Sequence, residues 1–286
     1  MTAVTPVALE VGPLTRTDFV KYAGASGDFN PVHHDDEYAR AHGFPSVFAM
    51  GMLPAGILGA QASAWAGPTA LSSFTVRFVS QTWPGETLTF SLGDAVPDSE
   101  GFLVAVNAGT TQKIKGVVEL GVSSPRPEPS EETDPRLDQI RSVKLSPVVL
   151  PVELGKALEF ARAVRAPAIF TDESSARAAG LDALPAVPTF TTCVAHWDGG
   201  DATAVPRSVG LDLTRVLHAE QRYEFHRPVL VGDVLHGERW VSRTYTKRSR
   251  HGALMTFVRV TTAFTDSRGN PVVREEMLMV ETPRDT

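Results

Sequence analysis

The chain repeats itself. Asp35-Asp36-Glu37-Tyr38-Ala39-Arg40-Ala41-His42-Gly43 is echoed by Asp172-Glu173-Ser174-Ser175-Ala176-Arg177-Ala178-Ala179-Gly180. The leading aspartate, the Ala-Arg-Ala triplet and the closing glycine match at one offset. Upstream, Val20-Lys21-Tyr22-Ala23 parallels Leu158-Glu159-Phe160-Ala161. Downstream, Phe78 followed by Gly85-Glu86-Thr87-Leu88 parallels Phe225 followed by Gly232-Asp233-Val234-Leu235. Matches that keep one order along the chain point to a duplicated fold. A length of 286 residues suits two such units.

The segment 123–138, SSPRPEPSEETDPRLD, divides the copies. Its prolines remove backbone donors and fix φ. Its acidic, nearly apolar-free composition gives it little to bury. It reads as an exposed connector, extended where proline is dense. The expected organisation is therefore a first domain at 1–122, a linker at 123–147 and a second domain at 148–286.

Each copy has helical signals first and strand signals after. Thr15 or Thr17 can cap a helix through Tyr22, with Asp18 in its first turn and Gly24 and Gly27 breaking it. Asp35–Ala41 reads as a short helix ended by Gly43. Met52–Trp65 is apolar on every side, so a helix there must be buried. Strand-like runs follow at Phe74–Gln81, Thr87–Leu92, Phe102–Gln112 and Gly116–Val122. The second copy offers a helix at Glu153–Val164 and a buried one at Pro188–His196. Strands follow at Arg222–Phe225, Val234–Thr246, Ala253–Phe264 and Val272–Glu281. The class is α+β, each unit a buried helix wrapped by a curved antiparallel sheet.

Composition narrows the function. Hydrophobic residues are 42% and charged residues 21%, as in an ordinary globular protein. A net charge of −6 argues against nucleic acid as the main partner. No apolar run is long enough for a membrane span, and the N-terminus lacks a secretory pattern. The single cysteine, Cys193, forms no internal disulfide and alone builds no zinc site. A cytoplasmic setting is expected, with neither membrane nor nucleic acid as partner.

The segment richest in chemistry is Tyr22-Ala23-Gly24-Ala25-Ser26-Gly27-Asp28-Phe29-Asn30-Pro31-Val32-His33-His34-Asp35. Gly27 and the Asn30-Pro31 turn can fold the loop so that Asp28 and His33 converge. A carboxylate beside an imidazole is an acid/base pair. The plainer reading is an Asx-turn at Asp28 and an ordinary core or surface histidine at His33.

The longer segment resembles the hydratase-2 motif of the MaoC-like family, the (R)-specific enoyl-thioester hydratases and dehydratases of hot-dog fold. The resemblance runs from Tyr22 through Ser26-Gly27-Asp28-Phe29-Asn30-Pro31-Val32-His33 to Asp35 and Ala39. It ends with Gly43-Phe44 and Ala49-Met50-Gly51-Met52, where Met50 replaces the histidine common in the family. It implies a double hot-dog fold. It also implies reversible addition of water to trans-2-enoyl thioesters, giving (R)-3-hydroxyacyl thioesters of the kind found in fatty acid metabolism. By similarity, Asp28 and His33 hold and activate one water. Gly51 gives its backbone N–H to the thioester oxygen at the start of the buried helix, where unpaired N–H groups favour negative charge. Ser26 and Asn30 either position the dyad or only build the turn. His34 is expected to be structural or exposed. No metal or redox cofactor is implied. The substrate would be carried as a coenzyme A or acyl-carrier-protein thioester.

The second copy lacks this machinery. Arg162–Phe170 holds no acid or histidine, His33 falls opposite Phe170, and Gly51 falls opposite Thr189. Val187-Pro188-Thr189-Phe190 and Tyr223-Glu224-Phe225-His226-Arg227-Pro228 resemble the non-catalytic subunit of two-chain 3-hydroxyacyl-carrier-protein dehydratases. The resemblance implies catalysis in the first half and acyl binding in the second. It implies an internal pseudo-dimer, which could pair again as a homodimer. A hot-dog thioesterase and a non-catalytic acyl-thioester binding subunit are the rival functions.

Weaker signals remain. Arg243, Lys247, Arg248 and Arg250 could hold coenzyme A phosphates or an acidic carrier protein, or could be a solvated hairpin turn. Trp65, Trp83, Trp197 and Trp240 read as core. His196, His218, His226, His236 and His251 show no metal-ligand spacing. Serine-nucleophile elbows, phosphate loops and dinucleotide fingerprints are absent from the sequence.

Overall fold

A computed structural model describes residues 8–96, 101–121, 135–199, 203–249 and 252–283. The first half opens with β1 (Ala8–Val11), α1 (Arg16–Ser26), a 3-10 turn (Pro31–His33), α2 (Asp36–Ala41) and α3 (Met52–Ala66). Strands β2 (Leu71–Phe78), β3 (Leu88–Ala95), β4 (Gly101–Ala108) and β5 (Thr111–Leu120) complete it. Next come α4 (Pro135–Arg141), β6 (Val148–Pro151), α5 (Leu154–Ala163), a 3-10 turn (Ala168–Phe170) and α6 (Glu173–Ala178). A 3-10 helix (Phe190–His196) and α7 (Ala204–Ser208) follow. Strands β7 (Val216–Phe225), β8 (Val234–Arg248), β9 (Leu254–Thr265) and β10 (Pro271–Glu281) close the chain.

The strands form one ten-stranded sheet in the order β1-β3-β4-β5-β2-β7-β10-β9-β8-β6. Each half contributes the same order read from opposite edges, and β2 joins β7 at the centre. The duplication is thus a pseudo-two-fold axis between these strands. Phe74 stacks on Tyr223 across the seam at 6.4 Å between ring centroids. On the helical side, Tyr22 of α1 meets Phe160 of α5 at 5.7 Å, and Arg165 pairs with Asp18 at 3.0 Å.

Local chemistry explains the elements. Thr15 caps α1 in a capping box with Asp18, a device worth about 1 kcal/mol. The helix runs through Gly24 and stops at Gly27, whose φ of 80° suits glycine. Gly24 is therefore not the break expected from the sequence. α3 is buried along nearly its whole length and packs on β2, β4 and β5. Its small residues permit close approach: a Cβ on Gly56 would lie 2.7 Å from Val164 of the other half. Each fully buried Leu or Ile on such a helix contributes about 1.5–3 kcal/mol.

The structure departs from the sequence expectations at further points. The buried helix expected near Pro188–His196 is present, but as a seven-residue 3-10 helix (Phe190–His196) it is no equivalent of the long α3. The connector does not stay exposed to residue 138: α4 begins at Pro135 and buries Leu137 and Ile140, while 123–134 lie outside the described residues. Short edge strands β1 and β6 add to the strands expected. Trp65 and Trp197 pack on the main core, but Trp240 is 37% exposed beneath the Arg274 guanidinium.

Candidate active site

Three elements of the first half converge on one cavity of about 360 Å³: the loop after α1, the 3-10 turn behind it and the start of α3. Asp28, Asn30, His33 and Gly51 all line it. β7 and β10 of the second half supply the opposite wall, with Val216, His218, Met277 and Met279.

The loop is built from its own polar side chains. Ser26 Oγ donates to Tyr22 O at 2.8 Å and accepts from the Asp28 N–H at 3.2 Å. Asp28 Oδ1 accepts from the Asn30 N–H at 3.3 Å. Asn30 Oδ1 caps the 3-10 turn through Val32 N–H at 3.2 Å. Ser26 thus holds the Asp28 backbone, whereas Asn30 meets Asp28 only through its backbone N–H and spends its side chain on the turn.

His33 ends that turn and is buried. Its Nδ1 lies 2.8 Å from Phe48 O. A carbonyl only accepts, so Nδ1 carries the proton and Nε2 of the neutral ring is an acceptor. Nε2 stands 3.9 Å from Asp28 Oδ2. Burial pushes the His33 imidazole below its ordinary value, and Asp28 opposes that shift. The ring is thereby kept neutral near pH 7 with its lone pair toward the carboxylate. His34 is exposed and lies 3.2 Å from Phe29 O through Nε2, away from the pair.

Gly51 is the N-cap of α3. A Cβ there would sit 2.9 Å from two carbons of the Phe78 ring. Glycine is required because Phe78 closes over the helix start. Phe78 in turn packs on His218 at 4.8 Å between ring centroids.

The second half carries the same scaffold without the chemistry. Phe170 ends its 3-10 turn as His33 ends the first, and Thr189 caps its 3-10 helix where Gly51 caps α3. Arg165 takes the place after the helix, with a φ of 50°.

His218 was not singled out from the sequence. It is half-buried on β7, its Nε2 donates to Gln221 Oε1 at 3.0 Å, and burial pulls it down to about 4. Its one sequence signal is a histidine inside a strand aligned with β2. The basic cluster, by contrast, does not reach the cavity. Arg243, Lys247 and Arg248 lie on β8, none lines the site, and Arg248 closes the β8–β9 turn on Gly252 O at 2.9 Å. Arg250 lies outside the described residues. Among the described residues no group of three or more His, Cys, Asp or Glu side chains is placed to hold a metal. No helix among them is long and apolar enough to cross a membrane.

Comparison with known proteins bears on the family and the fold. Residues 5–100 match the family model described as MaoC like domain, and residues 140–275 match that described as FAS1-like, dehydratase domain region. A UPF0336 protein of Streptomyces avermitilis is 37% identical over 102 residues, which cover 35% of this chain and 67% of that protein. A MaoC domain protein of Chloroflexus aurantiacus superposes with a TM-score of 0.64 at 12% identity, covering 100% of this chain and 97% of its own. A double hot-dog protein of Mycobacterium tuberculosis superposes with a TM-score of 0.63 at 14% identity, covering 98% and 96%. The fold is a double hot-dog.

Proposed function

Because this chain belongs to the MaoC-like dehydratase family, we propose that it catalyses the reversible hydration of trans-2-enoyl thioesters to (R)-3-hydroxyacyl thioesters. The observation that carries the proposal is the pairing of Asp28 Oδ2 with an acceptor Nε2 of His33 at 3.9 Å, in a cavity shared with the start of α3.

A separation of 3.9 Å is too long for a direct hydrogen bond and suits one bridging water. That water donates one proton to Asp28 and the other to His33. Asp28 takes its proton as the oxygen attacks Cβ, and His33 orients the molecule and shares in proton return. The double bond breaks, a C–O bond forms at Cβ, and negative charge moves to the thioester oxygen. The Gly51 N–H, among the unpaired donors of the α3 N-terminus, receives that charge. The dyad then returns the proton to Cα, so the elements of water are added and nothing is oxidised. The step asks for no metal or redox cofactor. Coenzyme A or an acyl carrier protein would carry the acyl group.

The test supplies crotonyl-CoA and longer trans-2-enoyl-CoA esters, with carrier-protein esters alongside, and follows enoyl absorbance and free thiol separately. Loss of absorbance without thiol supports hydration. Thiol without hydration supports a thioesterase. No turnover of any ester would sink the catalytic reading and leave an acyl-binding subunit.

A further inference from the structure

A second chamber of about 180 Å³ adjoins the active-site cavity and shares Asp28, Met52, His218 and Met277 with it. Most of its lining comes from the half that lacks a long central helix, and its floor follows from strand register. Arg239 of β8 pairs with Thr262 of β9, Thr262 with Glu275 of β10, and Glu275 with Tyr223 of β7. These four residues form one polar rank across the sheet. One rank along, Val241, Val260, Met277 and Gln221 are joined in the same way.

The first half provides an internal control. The pseudo-symmetric rank there is Leu92, Val104, Gly116 and Val76, joined across β3, β4, β5 and β2. All four lack polar side chains, and the three with side chains are buried in the main core that includes α3. Where the long helix covers the sheet the rank is apolar. Where no such helix covers it the rank is polar.

We propose that this chamber receives the distal end of the acyl group, and that this end bears a neutral oxygen function, a hydroxyl or carbonyl, in place of a bare alkyl terminus. The proposal rests on the hydratase reading for the position of the thioester. A methyl end would exclude water from Thr262 and Gln221 and return nothing to the donor and acceptor sites that their bonds to Glu275 and His218 leave open, and burying such sites is costly. An anionic end finds no spare cation, since Arg239 is already paired with Asp198. A cationic end would have to take Asp198 from Arg239 or stop at Asp28 beside the active site, since Glu275 accepts from Thr191 Oγ1 of the 3-10 helix at 2.6 Å and its burial disfavours ionisation. Met52, Val260 and Met277 supply the apolar passage to this floor.

The experiment measures, by calorimetry on the whole protein, dissociation constants of saturated acyl-CoA esters in matched pairs across a length series. One member of each pair ends in a methyl and the other in a hydroxyl or keto group. Binding is read without turnover, so the result stands whether or not the hydratase reading does. The expected result is about threefold to tenfold tighter binding of the oxygenated member at the lengths that reach the chamber, the value of one net hydrogen bond. Thr262→Val, which keeps side-chain shape, should shrink that ratio, and Glu275→Gln should alter it while leaving the fold intact by circular dichroism. Equal or tighter binding of the methyl-ended member at every length, or a ratio that neither variant moves, overturns the proposal.

Discussion

His33 turns its Nε2 toward Asp28 Oδ2, and its other ring nitrogen is tied to the Phe48 carbonyl 2.8 Å away. The carbonyl fixes the tautomer, and the tautomer decides which groups a substrate water meets. Each partner should therefore be needed for a different reason. Asp28→Asn removes the base and His33→Ala removes the orienting acceptor. Each should lower the hydration rate by about 10²–10⁴-fold. Steady-state kinetics beside circular dichroism checks this, and near wild-type rates in either variant would refute the dyad.

The pH profile should reflect the burial of His33. Its folded value lies below the ordinary 6.5, so the acceptor form persists into mild acid. The acid limb of kcat/KM should fall below pH 6.5. A limb centred at or above neutrality would contradict the assignment.

Gly51→Ala places a methyl 2.9 Å from the Phe78 ring. The ring must turn, and it is the same ring that packs on His218. A stability loss of about 1–3 kcal/mol is expected from overpacking. Hydration should fall further than stability does, because the helix start moves relative to the dyad. Chemical denaturation and kinetics on one preparation separate the two effects.

His218 should make folding sensitive to acid. Its folded value of about 4 lies below the unfolded 6.5, so the unfolded chain binds more protons between them. The stability contribution is complete above pH 6.5 and is lost as pH falls toward 4. Its upper size is about 3 kcal/mol. His218→Gln, which does not titrate, should flatten urea midpoints across this window. An unchanged slope would show that His218 titrates normally in the folded chain.

The halves should not survive apart. Separating them strips β2 from β7 and exposes two central strand edges along with Phe74 and Tyr223. Each half expressed alone should aggregate, and co-expression should restore a soluble pair. Size-exclusion chromatography reads the outcome, and a soluble monomeric half would count against a shared sheet as the source of stability.

Much of this was legible in the sequence because the duplication carries its own check. The offset that set His33 against Phe170 holds in space, as does the pairing of Gly51 with Thr189. Capping by Thr15 and the burial of α3 followed from local chemistry. The misses have physical causes. β1 and β6 are four residues each, too short for a period-two pattern to stand out. Only the end of β7 was read as strand. The register slip opposite Leu278 and Met279 breaks alternation there and puts His218 and Gln221, three apart, on one face. The polar rank is invisible in one dimension because its members come from four strands. Arg243, Lys247 and Arg248 are close in sequence, but none of them lines the cavity, and the β8 residue at the adjoining chamber is Arg239.

The continuous sheet has one more consequence. In a pair of identical subunits every substitution appears twice, so a change that improves one face of the groove also alters its mirror image. Here β2 meets β7 within a single chain, and the mirror positions are different codons. Leu92 and Arg239 could diverge because each is inherited once. Joining the halves frees one side of the molecule to be selected for what it recognises while the other is selected for what it does.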